Sequence, residues 1–95
     1  MKKELFCIIR GSVQGVMFRD FVQRKAEGLN IVGTVKNKTD GSVEVVAIGE
    51  EENLQKLLSF LKKGPLLTRI KLKVTNVEVR FSEPTESFLN FKIIY

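Results

Sequence analysis

The chain has 95 residues, of which 43% are hydrophobic and 28% are charged, a balance typical of one folded domain and too apolar for a disordered chain. Lysine and arginine total 16 against 11 aspartate and glutamate, so the net charge of +5 favours anionic ligands. With no histidine and one cysteine, the sequence excludes a histidine or cysteine zinc site, an internal disulfide and a histidine-dependent nucleophile. We expect a single domain over residues 1–95.

The first predicted elements are a strand and a helix. Residues 5–9 form a short apolar run with β-branched isoleucines, which predicts a buried strand. Cys7 lies within this run and is expected to be a core residue rather than a reactive thiol. A helix is predicted over residues 18–29, because one stripe has apolar residues at helical spacing: Phe18, Phe21, Val22, Ala26 and Leu29.

A hairpin and a second helix come next. Residues 31–36 and 42–48 are β-branched segments on either side of Asp40-Gly41, a dipeptide that favours a hairpin turn. The second helix has glutamates at residues 50–52 in its first turn and ends at Gly64-Pro65. Its apolar face consists of Leu54, Leu57, Leu58 and Leu61.

The last third of the chain alternates between apolar and polar residues. Residues 70–74 and 77–81 are typical of half-exposed strands. A loop near residues 82–87 leads to a final strand, in which four apolar residues are predicted to share a face: Leu89, Phe91, Ile93 and Tyr95. The order β-α-β-β-α-β with an extra C-terminal strand predicts an α+β fold of the ferredoxin-like split βαβ type, with an antiparallel sheet and two helices on one face.

The location and assembly of the chain are inferred from its hydrophobic runs and its cysteine. Arg10 ends the apolar run at residues 5–9 well before it could form a signal-peptide core or a membrane span. A lone cysteine fits a reducing compartment. We therefore expect a cytoplasmic monomer that does not bind a membrane.

The most informative segment is residues 11–19, which read GSVQGVMFR. Its two glycines allow consecutive backbone N–H groups to converge, and the following helix adds partial positive charge at the same point. Arg19 near a helix N-terminus is unfavourable by ~0.3–1 kcal/mol unless a negative group compensates it. The segment therefore predicts an anion site, and phosphate would fit it.

This segment resembles the acylphosphatase family, whose pattern G-x-V-Q-G-V-x-F-R is met in full by residues 11–19. The similarity covers essentially the whole chain. It continues through Gly33, Val35, Asn37, Asp40-Gly41 and Gly64-Pro65. Thr34 and Thr68 depart from the family's usual aromatic residue and alanine, which bears on local packing and on the acyl side of the substrate.

The resemblance implies hydrolysis of an acyl phosphate to a carboxylate and inorganic phosphate, with no metal, nucleotide or other cofactor. Arg19 and Asn37 are the implied catalytic residues. Arg19 offers a fixed fork of donors to phosphate oxygens, while Asn37 orients the attacking water but has no pKa suited to deprotonating it. The implied phosphate-binding residues are Val13, Gln14, Gly15, Val16, Met17, Phe18 and Arg19.

Simpler interpretations of these residues stay open at this point. The loop could be an ordinary strand-to-helix turn, Arg19 a solvated helix charge and Asn37 the first residue of the hairpin turn. A different function is also possible, namely a basic ferredoxin-like module that binds RNA or another polyanion. Its support is the net charge, because the aromatic signature of RNA-recognition sheets is missing from the sequence.

Overall fold

The structure, a computed structural model, describes residues 1–14, 16–64 and 73–95, without the side chains of Val16 and Lys73. The predictions made for Gly15, Pro65, Thr68 and strand residues 70–72 lie outside these ranges. The elements, in chain order, are β1 (Lys2–Ser12), α1 (Val16–Gly28), β2 (Val32–Asn37), β3 (Val43–Glu50), α2 (Glu51–Lys63), β4 (Lys73–Ser82) and β5 (Phe91–Ile94).

The strands of the described residues form one sheet in the order β4-β1-β3-β2-β5. Strands β1 to β4 pair in an antiparallel manner, as the ferredoxin-like arrangement requires, and the predicted α+β fold is confirmed. The extra strand departs from a fully antiparallel sheet, because β5 runs parallel to β2. The reason is that β4 runs opposite to β1 and the connection crosses to the other edge at the end of the sheet where β4 stops, so β5 runs back in the direction of β1 and β2.

The hydrophobic core lies between the two helices and one face of the sheet. Alternate residues of each strand point to this face, and the buried cluster includes Leu5, Ile9, Val35, Val45, Ala47 and Phe91 from the strands, Phe18, Val22 and Ala26 from α1 and Leu54, Leu57, Leu58 and Leu61 from α2. The predicted apolar face of α2 is therefore confirmed. For α1 it is confirmed at Phe18, Val22 and Ala26, while Phe21 is only partly buried and Leu29 packs against the core from just beyond the helix end. Cys7 is also fully buried, and burial raises the pKa of its thiol to about 12, so the thiol stays protonated at neutral pH.

The predicted strands at residues 31–36 and 42–48 correspond to β2 and β3 within two residues, and the described parts of the segments predicted at 70–74 and 77–81 form one strand, β4. β1 and β5 differ more from the sequence-based expectation. β1 is longer than residues 5–9, because it pairs with β3 from Lys2 and with β4 as far as Ser12. Gly11 therefore belongs to the strand, at a β-bulge with φ +136°, and does not form part of the loop.

β5 is shorter than expected, because it pairs only with residues 33–36 of β2. Its residues Phe91 and Ile93 do share the core face. Leu89 instead lies before the strand and is fully exposed, and Tyr95 follows the strand with 90% of its surface exposed. The prediction that these two residues belong to the apolar face of the strand was wrong.

Gly33 fixes the path of β2 against β3. Its φ is +146°, and a Cβ at this position would lie 1.8 Å from the Val46 carbonyl oxygen. Only glycine allows this close approach. The contact sets the position of β2, which ends at Asn37.

Candidate phosphate-binding and catalytic site

The topology brings the predicted site residues to one end of the sheet. β1 and β2 are both antiparallel to β3, which lies between them, so β1 and β2 run in the same direction. Their C-terminal ends therefore meet at the same end of the sheet. The chain leaves β1 there through the loop that enters α1, and β2 ends there at Asn37.

The N-terminus of α1 supplies backbone donors at this end of the sheet. The helix begins at Val16 rather than at Phe18, so the N–H groups of residues 16–18 lie in its first turn and have no acceptor within the helix. No acidic residue is present in this turn, whereas α2 has Glu51 and Glu52 in its own first turn. The positive end of α1 therefore lacks the acidic residues that complement the same end of α2.

Arg19 lies in this first helical region and is 8% exposed. The interpretation as a solvated helix charge does not fit this burial. The guanidinium carbon is 4.8 Å from the centre of the Tyr95 ring, close enough for a cation–π contact.

Asn37 is half-buried at the end of the β2–β3 ladder, where it pairs with Val43. Its Oδ1 atom is buried and accepts no hydrogen bond from the residues that the structure describes. A buried carbonyl oxygen without a donor is unfavourable, and such atoms are uncommon in folded proteins. The side chain is therefore held with an acceptor that a bound donor could satisfy.

The turn after Asn37 is well ordered by hydrogen bonds, and the predicted hairpin is confirmed. The Lys38 N–H donates to the Ser42 carbonyl at 2.8 Å, and Gly41 adopts φ +92°. The Asp40 carboxylate accepts from the Ser42 hydroxyl at 2.6 Å and from the Ser42 N–H at 2.9 Å. Both bonds hold the pKa of Asp40 below its ordinary value, and the bond from the Ser42 hydroxyl has the larger effect.

Gln14 connects the loop to this turn. Its side-chain amide donates to the Ser42 carbonyl at 2.8 Å and to the Lys38 carbonyl at 3.3 Å. The Gln14 side chain therefore contacts protein acceptors on both sides of the turn. Any contribution of Gln14 to phosphate binding would come from its backbone N–H.

The other predicted binding residues have different surroundings. The side chains of Val13 and Phe18 are fully buried in the core, so these residues could contact an anion only through their backbone. Met17 is 49% exposed. Gly15 and the side chain of Val16 lie outside the described part of the structure.

Sequence reasoning missed the contact of Tyr95 with Arg19. Because β5 is parallel to β2, its C-terminal end lies at the same end of the sheet as Asn37, and Tyr95 follows directly. No local motif indicates this placement. It depends on knowing which strand β5 joins and in which direction.

The described ranges contain neither a metal-binding cluster of histidine, cysteine or acidic residues nor a membrane-spanning helix. Within residues 1–14, 16–64 and 73–95, no three or more histidine, cysteine, aspartate or glutamate residues are grouped so that they could hold a metal ion. Over the same part of the chain, neither helix is long and apolar enough to cross a membrane.

The fold and the site together define a ferredoxin-like α+β protein that gathers a helix N-terminus, a buried arginine and an unsatisfied asparagine at one end of its sheet. The family model for acylphosphatase matches residues 5–93. An acylphosphatase of Caldanaerobacter subterraneus subsp. tengcongensis is 44% identical over 93 residues, which cover 98% of this chain and 99% of that protein. An acylphosphatase of Legionella pneumophila strain Corby is 41% identical over 96 residues, which cover 99% of this chain and 100% of that protein. The chain belongs to the acylphosphatase family.

Solved structures agree with this assignment. The crystal structure of acylphosphatase from Bacillus subtilis superposes with a TM-score of 0.87 at 39% identity, and the match covers 98% of this chain and 99% of that one. An acylphosphatase structure from Coxiella burnetii gives a TM-score of 0.86 at 34% identity, and the match covers 98% of this chain and 93% of that one.

Proposed function

We propose that the protein is a hydrolase that cleaves the carboxyl–phosphate bond of acyl phosphates and releases a carboxylate and inorganic phosphate. Membership of the acylphosphatase family supports the reaction. The observation that carries our assignment of residues is the meeting of three features at one end of the sheet: the α1 N-terminus without acidic residues, the buried Arg19 and the unsatisfied Asn37.

Arg19 and the loop would bind the phosphate. The backbone N–H groups of residues 16–18 can donate to phosphate oxygens, and the helix dipole favours the negative charge. The Arg19 guanidinium is permanently charged and offers donors in one plane, which suits two oxygens of one phosphate. Charge that moves between oxygens during the reaction would remain neutralised by the same group.

Asn37 would orient the attacking water. Its Oδ1 atom, which has no donor among the described residues, can accept a hydrogen bond from the water, and its amide can donate. The water oxygen attacks phosphorus as the bond from phosphorus to the acyl oxygen breaks, and the electron pair leaves with the carboxylate. The water proton passes to a phosphate oxygen, since Asn37 cannot take it.

The leaving group explains how such a sparse site could work. A carboxylate is stable without protonation, whereas the alkoxide of a phosphate ester needs a general acid or a metal ion. Positioning and electrostatic stabilisation then suffice for most of the catalysis. We propose that no cofactor takes part.

The direct test is steady-state hydrolysis of benzoyl phosphate by the purified protein with and without EDTA. We expect turnover that the chelator does not change and that inorganic phosphate inhibits competitively. Absence of turnover would contradict the proposed function. Loss of activity in EDTA with recovery on adding a divalent cation would contradict the metal-free mechanism.

We also propose a cytoplasmic monomer that does not bind nucleic acid. The competing possibility of a polyanion-binding module makes a different prediction from the same sample. Salt-dependent binding of oligonucleotides at physiological ionic strength, without hydrolysis of acyl phosphate, would favour that module instead.

A further inference from the structure

In the part of the chain that the structure describes, the Gln14 side chain connects the loop after β1 to the turn that follows Asn37. Its Nε2 donates to the Ser42 carbonyl at 2.8 Å and to the Lys38 carbonyl at 3.3 Å. The two carbonyls lie close together, since both accept from the same nitrogen, and the Lys38 N–H also donates to the Ser42 carbonyl. One amide group therefore contacts both sides of the turn.

The acceptor side of this connection is rigid. Ser42 is 2% exposed, and both its hydroxyl and its N–H donate to the Asp40 carboxylate. Asn37 is joined covalently to Lys38 and pairs with Val43 in the sheet. A displacement of the turn relative to the loop would therefore move the Asn37 side chain relative to the α1 N-terminus.

We propose that Gln14 is a positioning residue that fixes the Asn37 side chain relative to the phosphate-binding loop. This inference rests on the proposed function, in which Asn37 orients a water that must attack phosphorus in line. Such a reaction is sensitive to small displacements, and an error of about 1 Å can cost ~10²-fold in rate. The Gln14 side chain acts through Asn37 and does not itself contact the substrate.

The chain provides a matched control for this role. Gln23 of α1 makes the same kind of bond, since its Nε2 donates to the Phe91 carbonyl of β5 at 3.0 Å. This bond joins a helix to a strand, but neither residue belongs to the proposed site. Gln14→Leu and Gln23→Leu each remove one side-chain amide while keeping a similar volume.

The test compares kcat, KM for benzoyl phosphate, the inhibition constant of phosphate and the urea denaturation midpoint in the two variants. In Gln14→Leu we expect kcat to fall by about 10-fold or more, with the phosphate inhibition constant within ~3-fold of wild type. Gln23→Leu is expected to keep kcat within ~2-fold.

Three results would overturn the positioning role. The first is an unchanged kcat in a folded Gln14→Leu protein, and the second is an equal loss of kcat and phosphate affinity in that variant. The third is a loss of activity in both Gln14→Leu and Gln23→Leu that parallels their loss of stability.

An NMR measurement separates this inference from the proposed function. The side-chain amide resonance of Asn37 is expected to shift in Gln14→Leu and to stay in place in Gln23→Leu. An unchanged resonance in Gln14→Leu would refute the connection even if the wild-type protein is an active hydrolase. Absence of wild-type hydrolysis would refute the proposed function, and with it the effect of Gln14 on turnover, even if the resonance shifts.

Discussion

Arg19→Lys is expected to lower kcat/KM for benzoyl phosphate by ~10²-fold or more while the protein remains folded. Lysine keeps the charge but loses the planar fork of donors, so it cannot hold two phosphate oxygens in one geometry. A factor of 10² corresponds to about 2.7 kcal/mol of transition-state stabilisation, a magnitude typical for the loss of one well-placed electrostatic donor. Steady-state kinetics, with circular dichroism to verify folding, would measure it.

Arg24 provides the matched control on the same helix. Its side chain is 70% exposed and pairs with Asp20 at 3.0 Å, so Arg24→Lys changes the same chemical group outside the site. We expect this control to retain wild-type kinetics, because exposed ion pairs of this kind contribute little. Near-normal turnover in Arg19→Lys would remove the role that we assign to Arg19.

Asn37→Ala is expected to reduce kcat by ~10²-fold, while the inhibition constant of inorganic phosphate changes by less than ~3-fold. The substitution removes the group that orients water and leaves the phosphate donors of α1 in place. It also removes a buried acceptor that has no donor among the described residues, so the free energy of unfolding should not fall by more than ~0.5 kcal/mol. Kinetics and urea denaturation of the same preparation would measure both effects.

Asn76→Ala is a suitable control, because Asn76 is exposed on β4 and lies outside the proposed site. It should leave kcat and phosphate inhibition unchanged. If Asn37→Ala instead weakened phosphate binding as much as turnover, Asn37 would be a structural or binding residue and not the one that orients water.

The helices and the hairpin could be predicted from the sequence because local signals and burial agree there. The leucines of α2 recur at helical spacing, and glutamates begin the helix. Asp40-Gly41 predicts the hairpin, and the structure adds the hydrogen bonds that Asp40 accepts from Ser42. In these segments the backbone conformation is decided within a few residues.

The final strand shows where prediction from local sequence signals fails. The apolar alternation from Leu89 to Tyr95 is longer than β5, because only residues 91–94 pair with β2, at its residues 33–36. The direction of β5 and the position of Tyr95 beside Arg19 both depend on a crossover that spans the sheet. Contacts between residues so far apart in sequence have no local signature.

The candidate site contains residues that a local motif indicates and side-chain contacts that only the fold determines. The motif at residues 11–19 was sufficient to propose Arg19 and the loop, and Asn37 came from the resemblance to a family. The side-chain direction of Gln14 could not be deduced, because a glutamine in a loop can bond to a ligand, to solvent or to another segment with equal ease. The structure resolves this choice in favour of the turn after Asn37.

The central claim is that the N-terminus of α1 and Arg19 form a preformed receptor for phosphate, and its most direct test is a titration of the ¹⁵N-labelled protein with inorganic phosphate followed by NMR. We predict saturable shifts of the Met17 and Phe18 backbone amides and of the Arg19 side-chain resonance, with no saturable shift at residues 51–53 of α2. Absence of saturation at α1, or an equal response at both helix N-termini, would contradict the account.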